Sequence, residues 1–106
     1  MKEDLILSQR GRMLIAELLT DVDHHTAKNM RDRIDLRLFE TGAEVLVIDF
    51  SKVGFMDSSG LGLILGRAEK ARAIGADVWV SGLSPNLMKL VRLGGLEKIK
   101  NLTLVK

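Results

Sequence analysis

The sequence predicts an α/β fold: a mixed central β-sheet that opens with a hairpin and carries about three to four helices packed on it. Three observations predict it. Short apolar runs alternate along the chain with stretches whose apolar residues recur at three- and four-residue steps. The first two apolar runs are separated only by Gln9-Arg10-Gly11-Arg12, a turn segment too short for a crossover. Glycine or Ser-Pro then punctuates the later boundaries, where helices should start or stop.

Leu5-Ile6-Leu7 and Met13 to Leu19 read as the two strands of the hairpin, with Gly11 free to take a positive φ. Asp23 is a candidate N-cap for a helix from His24 to about Glu40. Ala27, Met30, Ile34 and Leu38 form its apolar face, and Gly42 ends it. Val45-Leu46-Val47-Ile48 is a continuous apolar run, which predicts a strand buried on both faces. A connector from Ser51 to Asp57 leads into a second helix, Ser58 to Ile74, closed by Gly75. Val78-Trp79-Val80 is the next strand, with Trp79 expected in the core. Ser84-Pro85 places a cap and then proline at the first position of a third helix. Leu87, Leu90, Val91 and Met88 are its core candidates, and Gly94-Gly95 stops it. Leu102, Leu104 and Val105 suggest a last edge strand.

The chain of 106 residues is read as one domain spanning 1–106. A chain of this size buries roughly two-thirds of its unfolded surface and needs no metal or disulfide to fold. It has no cysteine, which fits a reducing cytoplasm, the expected location. The net charge is only +2, Lys and Arg are scattered, and one Trp, three Phe and no Tyr offer little for bases to stack on. Direct nucleic-acid binding is therefore not expected. Met1-Lys2-Glu3-Asp4 leads into a short apolar run, unlike a signal peptide, and no stretch reaches the ~20 apolar residues of a membrane span. No membrane association and no cofactor are expected.

Phe55-Met56-Asp57-Ser58-Ser59-Gly60-Leu61-Gly62 is the most informative segment. Helix capping explains one Asp or Ser, since such side chains accept from the free N–H groups of the first turn. It does not explain two serines and two glycines together, followed by Gly66. Projected at about 100° per residue, Leu61, Ile64, Leu65 and Ala68 fall on the expected core face, and Gly62, Leu63 and Gly66 fall away from it. Each helical glycine costs ~1 kcal/mol relative to alanine. Two explanations stand open: a flat surface for another backbone, or close packing by an adjacent loop. Gly60-x-Gly62-x-x-x-Gly66 is off by one from the dinucleotide pattern, and a connector separates it from the strand where that pattern needs a tight turn.

FMDSSGLGLILGR, Phe55 through Arg67, resembles the signature of STAS-domain anti-sigma factor antagonists. Asp23-His24-His25-Thr26 makes the likeness closer to the sporulation, sigma-F branch than to the general-stress branch. Ser84-Pro85 and Gly94-Gly95-Leu96 sit where this family has its third helix and following turn. The resemblance implies the STAS fold and a partner-switching cycle. In that cycle the unphosphorylated antagonist binds an anti-sigma factor that is also a serine kinase, and the sigma factor is released. The kinase then phosphorylates the first serine of Asp-Ser-Ser-Gly, here Ser58, and a serine phosphatase resets it. The chain would be a substrate rather than an enzyme, acting as a monomer. Thr20 replaces a glycine common in the family, and the sequence stops at Lys106, where relatives continue into a final helix that would be missing or truncated here. The alternatives are a general-stress antagonist with a different partner, or a weak nucleotide-binding module.

On this resemblance the partner-facing residues are Asp23, His24, Met56, Asp57, Ser58, Ser59, Gly62, Leu63, Gly66 and Arg67. Met56 and Leu63 are expected as exposed apolar contacts, and Arg67 on the same outer surface. His24-His25 also raises a metal site, but adjacent helical residues point about 100° apart and do not converge on one ion. No nucleophile with an evident base can be assembled around Ser58 from sequence.

Overall fold

The computed structural model describes residues 3–105; Met1, Lys2 and Lys106, which belong to the leader and terminus readings above, lie outside the described residues. The hairpin forms between β1 (Leu5–Arg10) and β2 (Met13–Leu18), paired antiparallel, with Gly11 at φ 56° in the turn. Then follow α1 (His24–Thr41), β3 (Val45–Asp49), α2 (Ser58–Ala73), β4 (Asp77–Ser81), α3 (Pro85–Leu93), a 3₁₀ turn (Leu96–Lys98) and β5 (Leu102–Leu104). The predicted caps hold. Ser84 Oγ accepts from Leu87 N at 3.3 Å with Pro85 beginning α3. Gly42 closes α1 in the left-handed conformation and donates to Leu38 O at 3.0 Å.

The five strands lie in chain order, β1 to β5. After the hairpin every pair is parallel. The crossovers through α1, α2 and α3 therefore all advance in one direction. Connections of the usual single hand then put all their helices on one face of the sheet. Burial follows that rule: Leu14, Ala16, Leu18, Leu46, Ile48, Val78, Val80 and Leu102 are buried and join Met30, Ile34, Leu38, Ile64, Ala68 and Val91 in one core.

The same geometry corrects two expectations. The β3 run is buried on one face, not both: Leu46 and Ile48 are inside, while Val45 and Val47 are half-buried on the uncovered side. Trp79 does not enter the core. It lies on that side, in register with Val47, and is 38% exposed. Continuous apolarity signalled a doubly covered strand, but a sheet whose helices share one face leaves the alternate residues outside.

The chain's single Trp reports on this directly. Acrylamide should quench Trp79 fluorescence in the native state, and a fully protected native tryptophan would contradict the one-sided sheet. Leu46→Ala should cost about 2–5 kcal/mol in urea unfolding, as for other core leucines.

Candidate functional site

Two loops that lead into neighbouring helices are joined before the helices begin. Val22 and Met56 form an isolated parallel bridge: Val22 N donates to Phe55 O at 3.0 Å and Asp57 N to Val22 O at 3.1 Å. One residue back, Asp21 Oδ1 accepts from both Gly54 N and Phe55 N at 3.1 Å. The clamp spans more than thirty positions of sequence, |i−j| of 33 and 34. It brings the starts of α1 and α2 side by side, about one strand spacing, 4.8 Å, apart at the bridge.

Each helix then starts on an aspartate. Asp23 Oδ1 accepts from His25 N and Thr26 N, both at 2.9 Å, while its own N–H donates to Thr26 Oγ1 at 3.0 Å. The Thr26 N–H holds the Asp23 carboxyl below its ordinary range; desolvation opposes it, and the His25 N–H adds to the lowering. Its capping contribution is present above the usual carboxylate pKa and fades as pH falls through the lowered value. Asp57 Oδ1 accepts from Ser59 N at 2.7 Å. Ser58, the first residue of α2, is exposed, so its hydroxyl stands at the positive end of a sixteen-residue helix.

The structure divides the sequence-derived site residues into two groups. Asp23, His24, Ser58 and Gly62 are exposed, and Asp57, Ser59 and Gly66 half-buried, all on the N-terminal shoulder of α1 and α2. Met56, Leu63 and Arg67 are 3% exposed each and do not provide the surface contacts expected of them. Met56 is drawn inward by the Val22 bridge and packs over Gly60. Leu63 and Arg67 turn inward because α2 packs against α1 as well as the sheet. Its buried stripe runs Gly60, Leu63, Ile64, Arg67, Ala68, Ala71, and Leu65, expected inside, is 42% exposed. Small residues and a charge carry much of that stripe, which is why the larger apolar side chains pointed to a shifted face.

Arg67 is held by Asp35 of α1, Nε to Oδ1 at 2.6 Å. The two charges are in direct contact, an ion pair closed between the helices. Burial lowers the Arg67 pKa, and Asp35 opposes that effect.

The glycines also fall into two kinds. A Cβ at Gly60 would lie 2.5 Å from the Met56 sulfur and 3.0 Å from its Cβ, so the fold needs glycine there. A Cβ at Gly62 or Gly66 would meet nothing within 4 Å. Packing by an adjacent loop does not account for these two; open space lies above them. With Ser59, His24, Lys28, Arg31 and others they line a cleft of ≈ 590 Å³ between α1 and α2. Among the described residues no group of three or more His, Cys, Asp or Glu is placed to hold an ion.

Asp21 was not legible as part of the site, because its partners are remote in sequence, and the same holds for Asp35, whose partner Arg67 lies on another helix.

A family model described as the STAS domain matches residues 4–104. The chain is 36% identical over 87 residues to an anti-sigma F factor antagonist of Paenibacillus polymyxa, covering 82% of this chain and 74% of that protein. It is 32% identical over 79 residues to an anti-sigma-B factor antagonist of Listeria monocytogenes, covering 74% and 68%. Among solved structures, SpoIIAA in its unphosphorylated form superposes with TM-score 0.75 at 25% identity, covering 96% of this chain and 87% of that one. The Bacillus SpoIIAA in its phosphorylated form superposes with TM-score 0.74 at 26% identity, covering 96% and 91%.

Stability tests separate the two kinds of glycine. Gly60→Ala should destabilise the chain by about 1–3 kcal/mol through overpacking. Gly62→Ala and Gly66→Ala should each stabilise it by about 0.5–1 kcal/mol. Asp35→Ala should cost more than Arg67→Met in the same denaturation series. The first strands a buried guanidinium, for which losses of about 3–5 kcal/mol are typical, while the second leaves a carboxylate that water reaches.

Proposed function

The chain belongs to the family of STAS-domain anti-sigma factor antagonists, and from that premise we propose that it binds an anti-sigma factor serine kinase and is switched off by phosphorylation of Ser58. The observation that carries this reading is the exposure of Ser58 at the mouth of α2, flanked by the capping carboxylates Asp57 and Asp23. Existence of SpoIIAA, a structural relative, in both unphosphorylated and phosphorylated forms supports it.

The helix start accommodates the modification. Free N–H groups and the positive end of the helix dipole favour an anion, so a phosphate of about −1.5 to −2 charges is tolerated by the fold. The cost falls on the complex. A phosphate beside Asp57 at an interface brings like charges together and requires desolvation, effects worth on the order of several kcal/mol. Each ~1.4 kcal/mol is a tenfold loss of affinity. The switch therefore works by charge and bulk, without refolding.

The partner surface consists of Asp23, His24, Asp57, Ser58, Ser59, Gly62 and Gly66, with Met56, Leu63 and Arg67 supporting it from beneath. A serine phosphatase resets the cycle, and residues 1–106 act as a single STAS domain. A general-stress partner is the second reading, favoured by the 32% identity to the Listeria anti-sigma-B factor antagonist.

Pull-down with candidate anti-sigma F and anti-sigma-B factors, in ATP and in ADP, discriminates the two. Ser58→Ala should retain binding and resist phosphorylation. Ser58→Asp should bind at least about tenfold more weakly with an unchanged far-UV CD spectrum. Unfolding of Ser58→Asp, or mass spectrometry placing the phosphate on another side chain, would refute the mechanism.

A further inference from the structure

Arg67 is buried where α2 packs against α1. A guanidinium carries five N–H donors, and this side chain is only 4% exposed. Its Nε lies 2.6 Å from Asp35 Oδ1, and Nη1 donates to Leu63 O at 3.5 Å, the limit of a hydrogen bond. No other side-chain hydrogen bond of Arg67 occurs among the described residues. Buried donors need acceptors, and the buried Nε has the Asp35 carboxylate beside it, so this pair is closed within the chain. The guanidinium lines the α1–α2 cleft, and the opposite wall supplies further positive charge. Lys28 and Arg31 stand three residues apart on α1 and so share one face. Arg31 is close enough to Arg67 for their charges to oppose one another. Its counter-ion is its exposed neighbour Asp32, at 3.1 Å. Arg31 and Arg67 are thus each paired, with Asp32 and Asp35, and Lys28 is the cation lining this cleft that has no ion-pair partner among the described residues.

We propose that this cleft seats an acidic side chain, Asp or Glu, carried on a segment of the anti-sigma factor that crosses α2 over Gly62 and Gly66. This rests on the function proposed above and names the chemistry the partner must bring. Charge complementarity selects a carboxylate. The open space above Gly62 and Gly66 selects a polypeptide, whose backbone can lie close to a helix bare of side chains. The cleft is continuous with the switch, since Ser59 lines it and Ser58 precedes Ser59. An acidic segment seated there meets a phosphate on Ser58 as like charge, so the same contact that binds the partner makes phosphorylation repel it.

Calorimetric titration of the wild-type chain, Lys28→Glu, Gly66→Leu and Ser58→Asp against the anti-sigma factor that the wild type captures tests this. Lys28→Glu should weaken binding about tenfold or more and flatten its salt dependence. Lys28→Arg should restore both. Gly66→Leu should fill the cleft and weaken binding without lowering the chain's own melting temperature. Replacing the matching acidic residue of the partner with Lys should rescue Lys28→Glu. If Lys28→Glu binds within about twofold of wild type while Ser58→Asp does not bind, the inference is wrong and the switch reading stands. If no anti-sigma factor is captured by the wild type, both fall. A rise in the melting temperature of the isolated chain with inorganic phosphate or ATP, abolished by Lys28→Glu, would overturn the proposal in favour of a free oxyanion.

Discussion

The bridge between Val22 and Met56, with Asp21 clamped onto Gly54 and Phe55, is the constraint on which the surface depends. Each loop by itself is a few residues of irregular chain with backbone groups that must find partners. Paired, they satisfy one another and bring two helix starts together. Asp23 and Asp57 then cap adjacent helices, and Ser58 emerges beside them. Without the clamp the two caps would still form locally, and only the packing of α2 on α1 would keep one near the other.

That arrangement separates a filled side that holds the fold from an open side that the proposed partner would meet. The inward side of the α2 start is filled: Met56 lies over Gly60, Leu63 is buried, and Arg67 reaches Asp35. The outward side is bare at Gly62 and Gly66. Because a helix start already favours negative charge, a phosphate there need not disturb the filled side. A change confined to charge on the bare side can act on a complex while the scaffold stays as it was. Under the proposed switch the two states would share one fold. SpoIIAA, with which the chain superposes in unphosphorylated and phosphorylated forms at TM-scores of 0.75 and 0.74, is consistent with that economy.

The one-sided sheet follows from the same connectivity that places the site. Crossovers advancing in one direction stack α1 beside α2 on a single face, which creates the seam between them and the cleft at its N-terminal end. The consequence on the other face is a half-exposed Trp79 and half-buried Val45 and Val47.

Much of the fold was legible from local chemistry. The hairpin, the Asp23 and Ser84 caps, the Gly42 stop and the α1 stripe of Met30, Ile34 and Leu38 each depend on residues within a few positions of one another. Ser58 could be placed at a helix start for the same reason, and its family resemblance needed only a contiguous motif. What sequence alone misassigned were matters of contact between remote segments: which side of β3 and β4 is covered, and which side of α2 faces α1. Met56, Leu63, Arg67 and Trp79 were misplaced because a side chain's burial is settled by what packs against it. Periodicity marks a stripe, but only the tertiary structure decides which neighbour that stripe meets.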